Sequence, residues 1–297
     1  MDVVWHNGKF VKFGAARINV LSHALHYGTG VFEGIRSYSA KNGAAIFRLE
    51  DHIQRFFRSA AALKMALPYS KKIVTQAIKK IIALNGFPDS YIRPLAFYGE
   101  GKIVISPRDA AINLVIASWP RKTYLLDKSL VSLGVSPFIR FHPKSVVPAV
   151  KICGYYAMSA VALLEAQARH FDECLLLDHK GFVAEGSVEN IFMVKNGKLF
   201  TPKPVSILPG ITRASVITIA KNFSIPLAEK NISLKELKKA DEVFLTGTAV
   251  EITPVGKIDL RRIGNGEIGP LTKKIKSVYD EVVQGKIARY RRWLTFV

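Results

Sequence analysis

Four short stretches of this 297-residue chain carry groups that could do chemistry together. Lys151 ends the run Val147-Pro148-Ala149-Val150-Lys151 and precedes a helix opened by Gly154. An amine among small and apolar neighbours is partly desolvated, which favours its neutral, nucleophilic form and suits it to condense with an aldehyde. Glu185 and Glu189 stand four apart around Gly186. A carboxylate so placed can keep a proton on a heteroaromatic ring nitrogen. Leu208-Pro209-Gly210-Ile211-Thr212-Arg213 turns into a helix. The free N–H groups of Ile211 and Thr212, with the Thr212 hydroxyl, make an anion cup at its positive end. Thr246-Gly247-Thr248-Ala249 ends an apolar run in small residues whose backbone N–H groups suit a phosphate or carboxylate. Arg55, within His52-Ile53-Gln54-Arg55, can grip a phosphate through two nitrogens. Each stretch, and Arg55 beside them, also has an ordinary reading: a solvated lysine, a polar loop, a capped helix start, a strand-to-loop turn and, for Arg55, a charged helix face. In this order, together, they match the needs of an aldehyde cofactor that carries a phosphate.

Positioning these groups takes both strands and helices. X-Gly pairs between apolar runs, at Asn7-Gly8, Asn42-Gly43, Lys180-Gly181 and Asn196-Gly197, predict tight hairpins and hence antiparallel strands in both halves. Apolar residues at helical spacing predict a helix over 49–65 and a second from the Ser70 cap to the Gly86 stop. Further helices are expected at 156–170, at 212–223, after the capping box Ser233-Leu234-Lys235-Glu236, and from Pro270 through Val282. Strands are expected at 91–98, 111–119, 132–137 and 242–246. The polar, unpatterned stretch 120–127 is the expected connection between a smaller N-terminal domain, 1–119, and a larger C-terminal one, 128–297.

Bulk composition excludes several classes. The chain is 49% apolar and 22% charged, enough for a large core without staples. Cys153 and Cys174 have no CxxC partners, so neither a disulfide framework nor a zinc site is expected. His23 and His26 lack further ligands at metal spacing, and no metal is expected. Neither a signal peptide nor an apolar run of membrane-spanning length is visible, and a cytoplasmic protein is expected. Lys plus Arg exceeds Asp plus Glu, 43 against 23, for a formal charge of +20. That balance raises nucleic acid as a partner. The basic residues are scattered over what look like solvated helix faces, which favours no nucleic acid.

The ordered set of motifs resembles the fold-type IV pyridoxal-phosphate enzymes, and among them the branched-chain amino-acid aminotransferases. The residues that carry the likeness are Leu21 to Gly28, Val31-Phe32-Glu33-Gly34-Ile35-Arg36, Tyr91-Ile92-Arg93-Pro94, Glu185-Gly186, Glu189-Asn190, Leu208 to Arg213, and Gly247 to Pro254. The likeness runs from about residue 3 to residue 290. It implies a two-domain α/β fold with an antiparallel-rich, barrel-like sheet in the C-terminal domain. It implies pyridoxal 5′-phosphate, bound to Lys151 as a Schiff base, with Lys151 also shuttling the proton. By the same likeness Glu185 binds the pyridine nitrogen and Tyr156 the ring hydroxyl. Arg55, Ile211, Thr212 and Thr248 hold the phosphate. Thr248 and Ala249, with Tyr91, grip the substrate carboxylate. Tyr27, Phe32 and Gly34 line the side-chain pocket, Arg93 admits the acidic side chain of glutamate, and Tyr124 shields the site. Glu189 lies one layer behind. The partners implied are amino acids and 2-oxo acids, and a second copy of the chain in a homodimer or larger assembly. A D-amino-acid or (R)-amine transaminase, or aminodeoxychorismate lyase, is the alternative within the fold. Three places depart from the family pattern: Ile152-Cys153-Gly154-Tyr155-Tyr156 after the lysine, the loop 101–105, and Arg121. All three bear on substrate choice.

Overall fold

The computed structural model describes residues 2–41, 43–120 and 128–297. The chain forms two compact units. One comprises residues 1–122 together with Val150–Tyr156 and Val282–Val297. The other comprises 123–149 and 157–281. The units are therefore not two consecutive stretches: the Lys151 segment and the C-terminus belong with the N-terminal part.

The first unit is built on an antiparallel sheet. Its strands run in the order Leu294–Phe296, Gly43–Phe47, Ile35–Ala40, Ser90–Tyr98, Ile112–Pro120, Val3–His6, Lys9–Lys12, and Gly30–Phe32 also pairs with Ser90–Tyr98. The two central strands pair in register from Ser90↔Pro120 to Tyr98↔Ile112. Helices Leu49–Ala62 and Lys71–Asn85 bury Ile53, Phe56, Ala60, Val74, Ile78 and Ile81 in one core with Ile35, Ile46, Ile92, Leu114 and Ile116 from the sheet. Removing such surface from water is the main stabilising term. The Ser70 hydroxyl accepts from Ile73 N at 3.3 Å, and Gly86 closes the same helix at φ +70°, so both the cap and the stop read from the sequence are in use. Asn7 and Gly8 both take positive φ, as a two-residue hairpin turn requires. Asn42 lies outside the described residues.

The second unit contains a closed barrel. Strands Val183–Glu185, Glu173–Leu177, Val131–Ile139, Glu251–Ile258, Glu242–Gly247 and Asn190–Lys195 follow one another, and Asn190–Lys195 pairs back onto Val183–Glu185. Closure removes the exposed sheet edges. The pairings on either side of Val131–Ile139 are parallel and the other four antiparallel, which bears out the antiparallel-rich, barrel-like sheet. Val131, Leu133, Leu175, Val183, Ile191, Val243, Leu245 and Val255 form the core cluster. Asn196-Gly197 makes the expected two-residue turn, with Lys195 opposite Lys198. Lys180-Gly181 does not. The connection is the longer loop between Leu177 and Val183, organised by Asp178 Oδ1, which accepts from Lys180 N at 2.8 Å and Phe182 N at 2.9 Å. The capping box at Ser233 is half formed. Ser233 Oγ accepts from Glu236 N at 3.2 Å, but the Glu236 carboxylate pairs with Lys230 instead of turning back. The helix that follows spans only Leu234–Leu237. Among the described residues no helix is long and apolar enough to cross a membrane.

Candidate active site

In the first unit Lys151 is seated by backbone on both sides. Phe32 N donates to Lys151 O at 3.2 Å, Cys153 N to Gly30 O at 2.8 Å, and Gly154 N to Gly28 O at 3.0 Å. These bonds lay the Lys151 segment along the short strand Gly30–Phe32. Buried Val150 and Ile152 pin it from either side. Gly28 is required twice over. It stands at φ +66°, and a Cβ there would come within 2.6 Å of Gly154 Cα. Lys151 N donates to Ser59 Oγ at 2.9 Å, and Ser59 Oγ donates to Arg55 O at 2.8 Å, which ties the lysine to the helix that carries Arg55.

The Lys151 ammonium end lies against the Tyr156 hydroxyl and 4.6 Å from the centre of the Phe32 ring. Phe32 and Tyr156 meet edge to face at 4.7 Å. The Arg93 guanidinium covers Phe32 at 4.6 Å and its Nη2 donates to Tyr91 Oη at 3.2 Å, while its buried Nε has no partner among the described residues. A Cβ on Gly34 would fall 2.0 Å from Tyr91 Oη, so the glycine makes room for that phenol. Lys151, Tyr156, Phe32, Arg93, Tyr91 and Gly34 are thus one cluster. Tyr27, half exposed, lies beside the His23 ring, at 4.6 Å. Both His23 nitrogens are engaged, with Thr29 Oγ1 and Val104 O, which leaves none for a metal. Cys153 is near Lys151 and Arg93. Burial pushes its thiol up to about 11, against the pull of Arg93, so it stays protonated.

Arg55 is not a loose arm. Its Nε and Nη2 donate to the two oxygens of Glu33, each at 2.7 Å, and His52 Nδ1 lies 2.7 Å from Glu33 Oε2. All three are buried. Burial alone would raise the Glu33 carboxyl, but Arg55 overrides it and holds the carboxyl down at about 2. Burial pushes His52 down, so its imidazole is neutral and donates. The pair occupies two guanidinium nitrogens and leaves Nη1 outside it. The sequence reading gave Glu33 and His52, which fix Arg55, no role. The signal was there: His52, Arg55 and Ser59 fall at i, i+3 and i+7, on the face that also carries buried Ile53, Phe56 and Ala60.

In the second unit Glu185 ends its strand with the carboxylate buried. Arg140 Nε lies 2.7 Å from Oε1, and Oε2 accepts from Asn190 Nδ2 at 3.1 Å and Leu208 N at 3.3 Å. Asn190 Nδ2 also donates to Leu208 O at 2.9 Å, and a Cβ on Gly210 would meet Asn190 Oδ1 at 2.0 Å. One asparagine therefore couples Glu185 to the turn that starts helix Ile211–Asn222. That helix opens on Gly210 with no side-chain cap, and Thr212 is buried in its first turn. Arg213 locks the helix start, donating to Pro202 O at 2.8 Å and Glu229 Oε2 at 2.6 Å. Thr248 and Ala249 form the half-buried turn after strand Glu242–Gly247. Glu185, Ile211 and Thr212 are brought together, and Arg140 and Asn190 join them; nothing local in the sequence marked Arg140. Tyr124 and Arg121 lie outside the described residues.

Each unit by itself holds groups of the kind a phosphorylated pyridine aldehyde uses, the amine in the first and the carboxylate and helix start in the second. There is a half-buried amine beside a phenol, a buried carboxylate braced by an arginine, and an uncapped helix start over a glycine that a Cβ would choke. The family model for class IV amino-transferases matches residues 30–258. The chain belongs to the class IV aminotransferases. The branched-chain-amino-acid aminotransferase of Pseudomonas aeruginosa is 39% identical over 99% of this aminotransferase and 97% of its own length. The probable branched-chain-amino-acid aminotransferase of Aquifex aeolicus is 41% identical, covering 99% and 96%. Among solved structures, the T.th. branched-chain amino acid aminotransferase with pyridoxamine 5′-phosphate superposes with a TM-score of 0.96 at 42% identity, covering 99% and 98%. The fold is therefore that of the fold-type IV aminotransferases, as the motifs implied.

Proposed function

We propose that this aminotransferase uses pyridoxal 5′-phosphate to move the amino group between L-leucine, L-isoleucine or L-valine and 2-oxoglutarate. The observation that carries the reading is the seat of Lys151: backbone bonds on both sides, a phenol at its amine, and an aromatic wall beside it. The near full-length relatives favour this reading over a D-amino-acid or (R)-amine transaminase or aminodeoxychorismate lyase. They also set aside the non-enzymatic, nucleic-acid-binding alternative.

When bound, the cofactor supplies an aldehyde carbon that exchanges amines and a ring that takes up the electron pair left at the substrate Cα. Lys151 would hold the cofactor through its amine, and the free amine would move the proton at the substrate Cα. Tyr156 steadies that amine and the ring hydroxyl. Glu185 keeps the ring nitrogen protonated, with Arg140 and Asn190 fixing the carboxylate. Arg55, through Nη1, and Ile211, Thr212 and Thr248 hold the phosphate. Thr248, Ala249 and Tyr91 orient the substrate carboxylate. Phe32, Tyr27 and Gly34 offer an apolar wall to a branched side chain, and Arg93, stacked on Phe32, offers charge to the glutamate side chain. Net, one amino acid becomes its 2-oxo acid while 2-oxoglutarate becomes L-glutamate, with no oxidant or reductant consumed.

We infer further a cytoplasmic homodimer or larger assembly, consistent with exposed Phe13, Ile18, Val20, Leu21 and Leu25 along one N-terminal stretch. Borohydride reduction followed by peptide mapping tests the lysine: the label is expected on Lys151. Amino transfer from leucine to 2-oxoglutarate tests the substrate. No turnover with any of the three branched amino acids removes the branched-chain reading.

A further inference from the structure

Behind Glu185 lie two buried acids that no step above uses. Glu173 opens strand Glu173–Leu177, and Glu189 closes the turn between Glu185 and Asn190; they are 0% and 1% exposed. Glu173 is well supplied with donors. Its Oε1 accepts from Cys174 N at 2.7 Å and Ser187 N at 3.1 Å, and its Oε2 from Ser187 Oγ at 2.9 Å. Glu189 is not. Its Oε2 takes one long bond from Val188 N, 3.3 Å, and its buried Oε1 receives no N–H or O–H among the described residues. No cationic side chain pairs with it among them. The ionisable groups that face it are Glu173, Cys174 and Glu185, all acids, and the Arg140 guanidinium is paired with Glu185. The Glu173 and Glu189 carboxyls lie within hydrogen-bond reach of each other. A buried charge without a partner is among the costliest things a fold can hold, and such a group keeps its proton instead.

We propose that Glu189 is protonated and donates that proton to the Glu173 carboxylate, and that this hydrogen bond braces the turn that presents Glu185. The proposal rests on the role given to Glu185 above. Burial, and then the Glu173 charge, raise the Glu189 carboxyl well above its ordinary range. The geometry shows what the bond holds. Gly186 N donates to Glu189 O at 2.7 Å, and Ser187 is tied to Glu173 through both its N–H and its hydroxyl. A Cβ on Gly186 would fall 2.7 Å from Glu189 Oε2, so the carboxyl occupies the space above that glycine. The same side chain packs against the end of the neighbouring strand, where a Cβ on Gly247 would lie 3.5 Å from Glu189 Cγ. One residue therefore touches both the turn of Glu185 and the strand end that leads to Thr248. Glu189 is a positioning residue in this scheme.

Infrared difference spectra of the wild-type holoenzyme against Glu189→Gln test the proton directly. At about pH 8, far above the ordinary carboxyl range, the wild type shows the carbonyl stretch of a protonated carboxylic acid and the variant lacks it. A difference spectrum with no such band, as for two carboxylates bridged by a cation, overturns the proposal. The glutamine keeps a donor and no charge, so turnover and the cofactor absorption spectrum stay within about threefold and unshifted respectively, whereas Glu189→Ala lowers turnover about tenfold or more and shifts the spectrum. Glu189→Gln as impaired as the alanine variant also overturns it. Should the alanine variant not fold, the wild-type and glutamine spectra decide alone. The band reports the proton whether or not leucine is the substrate, so failure here is separable from failure of the transaminase reading.

Discussion

Lys151 and Glu185 are held in opposite ways. Lys151 is fixed through its main chain, by Phe32 N on one side and Ser59 Oγ on the other, while its side chain reaches beyond the seam. Glu185 is fixed through its side chain, by Arg140, Asn190 and the Leu208 N–H. The difference suits what each group must do. The role proposed for Lys151, an amine that binds, lets go and carries protons, needs a fixed base and a mobile tip. The role proposed for Glu185, a carboxylate that holds one ring nitrogen, needs its oxygens immobile. The two units also handle buried charge differently. The first sets one carboxylate, Glu33, between an arginine and a neutral histidine. The second gathers Glu173, Glu185 and Glu189 and pairs one of them with Arg140.

The largest expected effect breaks the first arrangement. Glu33→Ala leaves Arg55 buried and unpaired, and removing one partner of a buried ion pair costs about 3–5 kcal/mol. Chemical denaturation reads it as a fall in midpoint, and a change below about 1 kcal/mol would mean water replaces the carboxylate. The pH dependence has a definite sign. The folded Glu33 carboxyl lies at about 2, below its ordinary 4.5, so the stability it lends is complete above 4.5 and is lost as pH falls through 2. His52, pushed below its ordinary 6.5 by burial, adds a loss that begins as pH falls under that value. Stability of Glu33→Gln therefore depends less steeply on pH between 4.5 and 2 than that of the wild type.

Next in size is the seam under Lys151. Gly28→Ala puts a side chain at φ +66° and 2.6 Å from Gly154 Cα. A left-handed residue with a backbone clash costs about 2–3 kcal/mol, and because the strain falls on the Lys151 segment, turnover drops along with stability. Stability lost with turnover per folded molecule unchanged would show that the seam serves the fold alone.

Much of this was legible in the chain. The hairpin turns at Asn7-Gly8 and Asn196-Gly197, the Ser70 cap, the Gly86 stop and the strand bounds near 91–98 and 242–246 follow from local φ preferences and apolar alternation, which short windows express. What was not legible is non-local. The return of Val150–Tyr156 and Val282–Val297 to the first unit depends on pairings with Gly30–Phe32 and Gly43–Phe47, more than a hundred residues away. Arg140 lies in no motif, and only the register of Val131–Ile139 beside Glu173–Leu177 sets where it emerges. The half-made capping box at Ser233 failed for a similar reason: Lys230, outside the four-residue pattern, takes the glutamate.

The smallest effect separates two hydroxyls, one in each unit. Ser59 Oγ is used twice, accepting from Lys151 N and donating to Arg55 O. Thr246 Oγ1 is equally buried and has no partner among the described residues. Ser59→Ala leaves the Lys151 N–H without its acceptor and costs about 1–3 kcal/mol. Thr246→Val keeps the shape, removes a polar atom that satisfies nothing, and changes stability by less than about 0.5 kcal/mol or raises it slightly. Thermal melts of the cofactor-free proteins measure both. The pair then sharpens the contrast between the units, because Thr246 stands two residues before Thr248 at the strand end. If the valine variant melts like wild type without cofactor but gains less from added pyridoxal phosphate, that hydroxyl belongs to the binding site, and the second unit keeps an unsatisfied group in reserve for its ligand. If the two proteins gain equally, the hydroxyl is idle.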